Sequence, residues 1–193
     1  MRRERSIGPD YFEALYRERS DPWDFETSAY EQAKYEDTLA ALPAPRIGDA
    51  LEVGCANGVL TRRLAARCGR LLAVDVSATA LAAARRRCAD QPHVRFGKRR
   101  LPQEAPDGPF DLILLSEVVY YWDEDDSARL AAWLPRAVRP GGHILLVHWL
   151  GETDYPQSGD DAVTGLAERL GDAIAVVRAD RREQYRLDLW RRR

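Results

Sequence analysis

Two carboxylates stand at fixed spacing from a run of small residues. Glu52 lies two positions before Gly54, and Asp75 follows one crossover later, at the end of Leu71-Leu72-Ala73-Val74. Between them the apolar stretch 50–53 runs into Gly54-Cys55-Ala56-Asn57-Gly58. Gly54 and Gly58 carry no Cβ, so backbone in this turn can approach a ligand closely. An apolar strand, a small-residue turn, an amphipathic helix and a second apolar strand ending on an acid make the nucleotide-binding half of a doubly wound α/β fold. Asp75 stands where a carboxylate accepts both hydroxyls of a ribose. Glu52 adds negative charge at the mouth of the first strand, where the phosphates of a dinucleotide would lie. That charge repels pyrophosphate and suits a cationic ligand. S-adenosyl-L-methionine, with its sulfonium and α-ammonium groups, fits the pattern.

A second group of reactive side chains follows later. The apolar stretch 110–115 ends in Ser116-Glu117, with Tyr120, Tyr121 and Trp122 directly after it, and the stretch 143–148 ends in His148-Trp149. Strand tips of this kind face the crevice where ligands bind in open α/β sheets. Glu117 can receive a substrate ammonium or the cationic end of a cofactor. His148 has an intrinsic pKa near neutrality and suits a general base; its other reading is a structural histidine bonded to a backbone carbonyl. Three consecutive aromatic residues cannot all point inward, so at least one of them lines a pocket.

The elements that must position these groups can be read from periodicity and breakers. Tyr11, Phe12, Leu15 and Tyr16 recur at helical spacing, and Pro22 ends that helix. A second helix is predicted over 28–42, ended by Pro43-Ala44-Pro45. Strands are predicted at 50–53, 71–76, 94–97, 110–115 and 143–148, with helices at 59–68, 78–88, 126–138 and 160–170. Ser77 is a good N-cap for the second of these helices. Strands separated by helical crossovers imply a parallel sheet with helices on both faces. The last two β stretches, 173–178 and 184–190, lie too close for a crossover and must pair antiparallel. The expected organisation is one domain over 1–193: an N-terminal helical cap, 1–45, acting as a lid, and a Rossmann-like core, 46–193.

Bulk properties narrow the partners. The 193 residues carry 29 basic and 31 acidic side chains, a net charge of −2, so no overall positive field is available to hold a nucleic acid. Cys55, Cys68 and Cys88 show no metal spacing and cannot all pair, which suggests free thiols in a reducing compartment. The N-terminus has no apolar signal segment, and no run is long enough for a membrane span. The expectation is a cytoplasmic chain with no membrane and no nucleic-acid partner. There is no Gly-x-Ser-x-Gly elbow of a serine hydrolase.

Four stretches carry a resemblance: Asp21-Pro22-Trp23-Asp24-Phe25 with Tyr30-Glu31-Gln32-Ala33-Lys34-Tyr35; Gly54 to Thr61; Leu115-Ser116-Glu117-Val118-Val119-Tyr120-Tyr121; and His148-Trp149 with Asp154-Tyr155-Pro156-Gln157-Ser158-Gly159-Asp160. The chain resembles a class I S-adenosylmethionine-dependent methyltransferase. More narrowly, it is similar to the small NodS-like N-methyltransferases of the nodulation-factor type. The resemblance implies S-adenosyl-L-methionine as cofactor, its methionine end wrapped by the loop from Glu52 through Gly54, Cys55 and Ala56 to Gly58. It implies that Asp75 holds the ribose, with Val76 and Ser116 beside the cofactor and Trp23 and Tyr30 folded over it. Glu117 and His148 are then the candidate catalytic residues, and Tyr120, Tyr121 and Trp149 line the site of a small-molecule acceptor.

Two departures stand out. Ala56 replaces a glycine usual in the superfamily, at little cost if its φ stays negative. Lys98-Arg99-Arg100 precede Leu101-Pro102 where relatives commonly carry an adenine-binding acid; either Arg99 or Arg100 stacks on the ring, or this is a solvated basic loop. The reaction expected is N-methylation of an amine or amino sugar. A small-molecule O-methyltransferase, a non-catalytic cofactor-binding module and an NAD-dependent oxidoreductase remain as alternatives.

Overall fold

A computed structural model describes residues 2–193. They hold six α-helices and seven strands and divide into two compact units: Gly8–Arg99, and residues 2–7 with Arg100–Arg193.

In the first unit, strands β1 (Ile47–Val53), β2 (Cys68–Asp75) and β3 (Val94–Lys98) lie in the order β3-β2-β1, all parallel. Leu51 pairs with Leu72 and Val53 with Val74, so β1 and β2 finish together and their following loops share one end of the sheet. Four helices belong to this unit: α1 (Pro9–Glu18), α2 (Ala29–Ala40), α3 (Val59–Ala65) and α4 (Ala78–Arg87). A proline sits in the first turn of α1, where its missing amide has no partner to lose. Ser28 and Ser77 cap α2 and α4 by accepting the amides of Glu31 and Ala80. Helix α4 packs on β2 and β3, with Leu81 against Ala73, Cys55 and Phe96.

In the second unit, β4 (Phe110–Ser116), β5 (Val138–Trp149), β6 (Ile174–Arg181) and β7 (Tyr185–Arg192) lie in the order β4-β5-β7-β6. The β4–β5 pair is parallel; β7 runs antiparallel to both β5 and β6, as the short connection between the last two strands demands. Leu112–Leu115 and Ile144–Val147 are buried continuously, the pattern of strands covered on both faces. Helices α5 (Glu124–Ala137) and α6 (Gly159–Leu170) supply cover on β5. Asp123 caps α5, and Ser158 with Asp161 forms a capping box on α6.

Element types agree with the sequence reading, while several limits move. Helix α3 stops at Ala65 rather than 68, because Cys68 already pairs with Ile47 and the Arg67 carbonyl accepts the Ile47 amide at 2.7 Å. Strand β5 begins at Val138, not 143. Phe110 pairs with Val138 before a register shift, so Pro140-Gly141-Gly142 lies inside the strand, with Gly141 at φ 75°.

Candidate functional site

The loop leaving β1 folds back on β2. The Gly54 and Cys55 amides both donate to the Val74 carbonyl, at 2.8 and 3.1 Å, and the Gly58 amide donates to the Cys55 carbonyl at 2.9 Å. Three of its residues have left-handed backbone: Gly54 at φ 76°, Ala56 at φ 51° and Gly58 at φ 83°. The negative φ assumed for Ala56 is therefore corrected; the loop uses the glycine-like conformation with an alanine in it. Gly58 is required twice, by its φ and by space, since a Cβ there would meet Ala84 Cα at 2.8 Å.

Asp75 ties the turn together. Its carboxylate accepts the Ala56 amide at 2.9 Å on Oδ2 and the Ser77 amide at 2.8 Å on Oδ1. Burial raises this carboxyl, while the backbone amides of Ser77, Ala56 and Val76 pull it back. Asp75 stands at the tip of β2 between the loop and the capped start of α4. Val76 is half-buried beside it.

Glu52 is not open to the strand mouth. It is 2% exposed, and burial pushes its carboxyl up to about 7; the nearby Thr61 hydroxyl restrains the rise, and the charge of Asp75 adds to it. Cys55 is also buried, and desolvation lifts its thiol far above the usual range, so it packs rather than reacts.

Glu13, on α1, was not singled out by the sequence reading. Its carboxylate accepts the hydroxyls of Ser77 (2.8 Å) and Thr79 (2.7 Å) and the Thr79 amide (3.3 Å), and it pairs with Arg17 at 3.0 Å. These donors, led by the Thr79 hydroxyl, draw it down to about 2. Trp23 stacks on Phe25 at 5.6 Å and meets Tyr16 edge-on at 5.7 Å. Tyr30 lies under the Lys34 ammonium at 5.0 Å, and Lys34 pairs in the interior with Glu31 at 2.9 Å. Arg99 and Arg100 are exposed; the Arg99 amide donates to the Asp75 carbonyl and the Arg100 amide to Glu104.

The second unit brings together the other predicted residues. Ser116 and Glu117 are half-buried at the tip of β4, and Glu117 has φ 56°, a strained value for a non-glycine residue. One oxygen of Glu117 accepts the Tyr120 hydroxyl at 2.5 Å and the Trp149 amide at 2.8 Å, bridging the tips of β4 and β5. Tyr120 and Trp122 are buried and Tyr121 is partly exposed. The rings of Tyr120, Tyr121 and Tyr155 stand 4.7–5.2 Å apart, and burial raises both Tyr120 and Tyr121 well above the ordinary phenol range.

His148, the expected general base, is fully buried, and its Nε2 accepts the Val119 amide at 3.1 Å. An accepting Nε2 puts the ring proton of a neutral histidine on Nδ1. This contact resembles the structural alternative, with a backbone amide as partner in place of a carbonyl. Trp149 folds its indole over Gly151, where a Cβ would lie 2.2 Å from Nε1. Gln157 pins the 150–158 loop by donating to the Trp122 carbonyl at 2.7 Å and the Ser127 hydroxyl at 2.9 Å. Residues 2–7 lie against the same unit: Arg3 pairs with Asp154, Ser6 bonds Asp123 and Asp126, and the Ile7 amide donates to the Tyr121 carbonyl. Tyr155 and Gln157 were in a recognised stretch without a role; nothing in the local pattern marks Ser6.

The nodulation protein S (NodS) family model matches residues 13–139. Nodulation protein S of Rhizobium tropici is 35% identical over 140 residues, covering 70% of this chain and 59% of the relative. The chain thus spans about six-tenths of the length of that relative. Among solved structures, a putative methyltransferase from Pseudomonas syringae is 40% identical, with TM-score 0.75, covering 86% of this chain and all of that one. N-methyltransferase NodS from Bradyrhizobium japonicum WM9, in complex with S-adenosyl-L-homocysteine, is 25% identical with TM-score 0.82, covering 93% of this chain and 96% of that one. Among the described residues no helix is long and apolar enough to cross a membrane. The fold is that of the class I methyltransferases, and the chain belongs to the NodS family.

Proposed function

We propose that this chain is an S-adenosyl-L-methionine-dependent methyltransferase that methylates nitrogen on a small amine or amino sugar. The observation that carries the reading is Asp75, whose carboxylate is fixed at the end of β2 by the Ala56 and Ser77 amides. The residues present fit the cofactor: glycine-like backbone at Gly54, Ala56 and Gly58 for close approach, and a carboxylate for a ribose. Similarity to a NodS N-methyltransferase solved with S-adenosyl-L-homocysteine supports the same cofactor and the same class of reaction.

When bound, the cofactor supplies a methyl group on a sulfonium already activated by its charge, so alignment and exclusion of water are the protein's main tasks. In this reading the Gly54, Cys55, Ala56 and Gly58 backbone cradles the methionine end. Asp75 holds the ribose hydroxyls, with Val76 beside the nucleoside. Trp23 and Tyr30 cover the cofactor. Glu117, oriented by the Tyr120 hydroxyl and the Trp149 amide, attracts the acceptor's ammonium form and steers its nitrogen. Tyr121, Tyr120 and Trp149 form the aromatic wall of the acceptor site. His148 positions this wall by holding Val119; the ammonium gives one proton to solvent, and its nitrogen, now with a lone pair, takes the methyl as the bond to sulfur breaks.

An O-methyltransferase would need a base for a hydroxyl, and the engagement of His148 Nε2 by the Val119 amide supports the nitrogen reading over it. The test is labelled S-adenosyl-L-methionine with a panel of amino sugars, amines and phenols, read by mass and position of the new methyl. Label on nitrogen supports the proposal. Label on oxygen replaces the acceptor class, and binding without transfer to any acceptor favours the non-catalytic module. Calorimetric binding of NAD with no response to S-adenosyl-L-homocysteine overturns the cofactor assignment.

A further inference from the structure

At the end of β1 and in the loop that follows it are buried polar groups that the reaction scheme does not use. Glu52 Oε2 and both side-chain polar atoms of Asn57 have no hydrogen-bond partner in the protein. Both residues are 2% exposed. Orphaned groups of this kind cost stability, and an ionised carboxyl among them costs more. A carboxyl can avoid that cost by keeping its proton.

The surroundings favour this outcome. The charged group facing Glu52 is Asp75 on β2, which is itself acidic. The other titratable neighbours are thiols: Cys55 in the loop, Cys68 at the start of β2 and Cys88 after α4, each raised in part by Glu52. The nearby arginines are committed elsewhere, Arg62 to Asp90 and Arg87 to Glu26 and the Asn57 carbonyl. From α3 the group presented is the uncharged Thr61 hydroxyl. Among these groups no cation neutralises Glu52, and its carboxyl titrates close to neutrality.

We propose that Glu52 is a proton-linked sensor of the cofactor's cationic end: it carries its proton in the ligand-free protein and releases it to solvent when that end settles on the Gly54–Gly58 loop. A positive charge arriving over a buried carboxyl in low dielectric favours the ionised form. The linkage is reciprocal, so the affinity of the cofactor rises with pH through the titration of Glu52. It also gives the site a preference for ligands with a positive end over uncharged nucleosides. The inference rests on the proposed cofactor.

The experiment is titration calorimetry of the full chain with S-adenosyl-L-homocysteine, which binds without turnover. It is run from pH 6 to 8 in pairs of buffers with different ionisation heats. The expected result is release of up to one proton per ligand near pH 6.5 and an affinity gain of about tenfold from pH 6 to 8, the limit for one released proton titrating near 7. Uncharged 5′-methylthioadenosine should release none. Glu52→Gln mimics the protonated form, so it should still bind, with no proton release and no pH dependence. Thr61→Val removes the hydroxyl that restrains Glu52 and should move the midpoint to higher pH.

Wild-type binding that is pH-independent and releases no proton overturns the inference, and this arm needs no variant. A Glu52→Gln protein that still releases the proton, or a midpoint unmoved in Thr61→Val, assigns the proton elsewhere and overturns it as well. Absence of any S-adenosyl-L-homocysteine binding instead overturns the proposed cofactor, so the two failures are distinct.

Discussion

Glu13 on α1 accepts both the hydroxyl and the amide of Thr79 at the first turn of α4, at 2.7 and 3.3 Å. A carboxylate at a helix N-terminus is favoured by the unpaired amides there. Here it also fastens α1 beside the Asp75 corner. Because the folded protein lowers Glu13 from 4.5 to about 2, its contribution is fully present above about pH 4.5 and is lost as pH falls toward 2. Thermal melts of Glu13→Gln should lie below wild type at pH 6, by about 1 kcal/mol for the weakened charge-assisted bonds. The gap should close between pH 4.5 and 2. A gap that stays constant down to pH 2 would count against this assignment.

Ala56 at φ 51° and Gly58 at φ 83° should respond oppositely to exchange. Ala56→Gly keeps the amide that Asp75 accepts and relieves the left-handed strain, so urea unfolding should show a gain of up to about 1 kcal/mol. Gly58→Ala adds that strain and drives a Cβ to 2.8 Å from Ala84 Cα. A loss of about 2 kcal/mol or more is expected.

Asp75→Asn keeps the shape and one acceptor oxygen but removes the charge. Calorimetry should show S-adenosyl-L-homocysteine affinity reduced by at least about 1 kcal/mol, the scale of charge-assisted hydrogen bonds to a ribose. Unaltered affinity would exclude Asp75 from the ribose site.

His148 separates a positioning role from a basic one. Replacing it with Phe leaves the Val119 amide buried without its acceptor, and stability should fall by about 1–3 kcal/mol. His148→Gln retains a side-chain acceptor. Its turnover should have the same pH dependence as wild type, with any loss uniform across pH. Disappearance of an acid limb from the rate profile, with a loss of roughly 10²-fold, would restore the general-base role.

Tyr120→Phe removes the hydroxyl that Glu117 accepts at 2.5 Å. Steady-state kinetics should show a higher KM for the amine acceptor and unchanged affinity for S-adenosyl-L-homocysteine. Glu117→Gln should raise that KM further, since the charge itself is lost. A rise in cofactor dissociation constant without a change in acceptor KM would move Glu117 to the cofactor side.

The sequence alone determined the order of strands and helices, because apolar runs bounded by Gly, Pro and capping residues are local signals. The antiparallel end followed from the short spacing between the last two strands. The glycine loop and Asp75 were legible for the same reason: close backbone approach needs residues without bulk, and the acid ends a recognisable strand. Tertiary structure decided the electrostatic state and the partners of the same residues. Glu52 reads as a surface charge from its spacing, yet burial between β1, β2 and α3 brings its carboxyl near neutrality. His148 reads as a base at a strand tip, but the chain after β4 delivers the Val119 amide to its Nε2. Glu13 and Ser6 find their partners 66 and 117 residues away, at Thr79 and Asp123, a separation that no window along the chain can reveal. Hydrophobic period and breakers act over a few residues, whereas desolvation and hydrogen-bond partners depend on what the folded chain packs around each group.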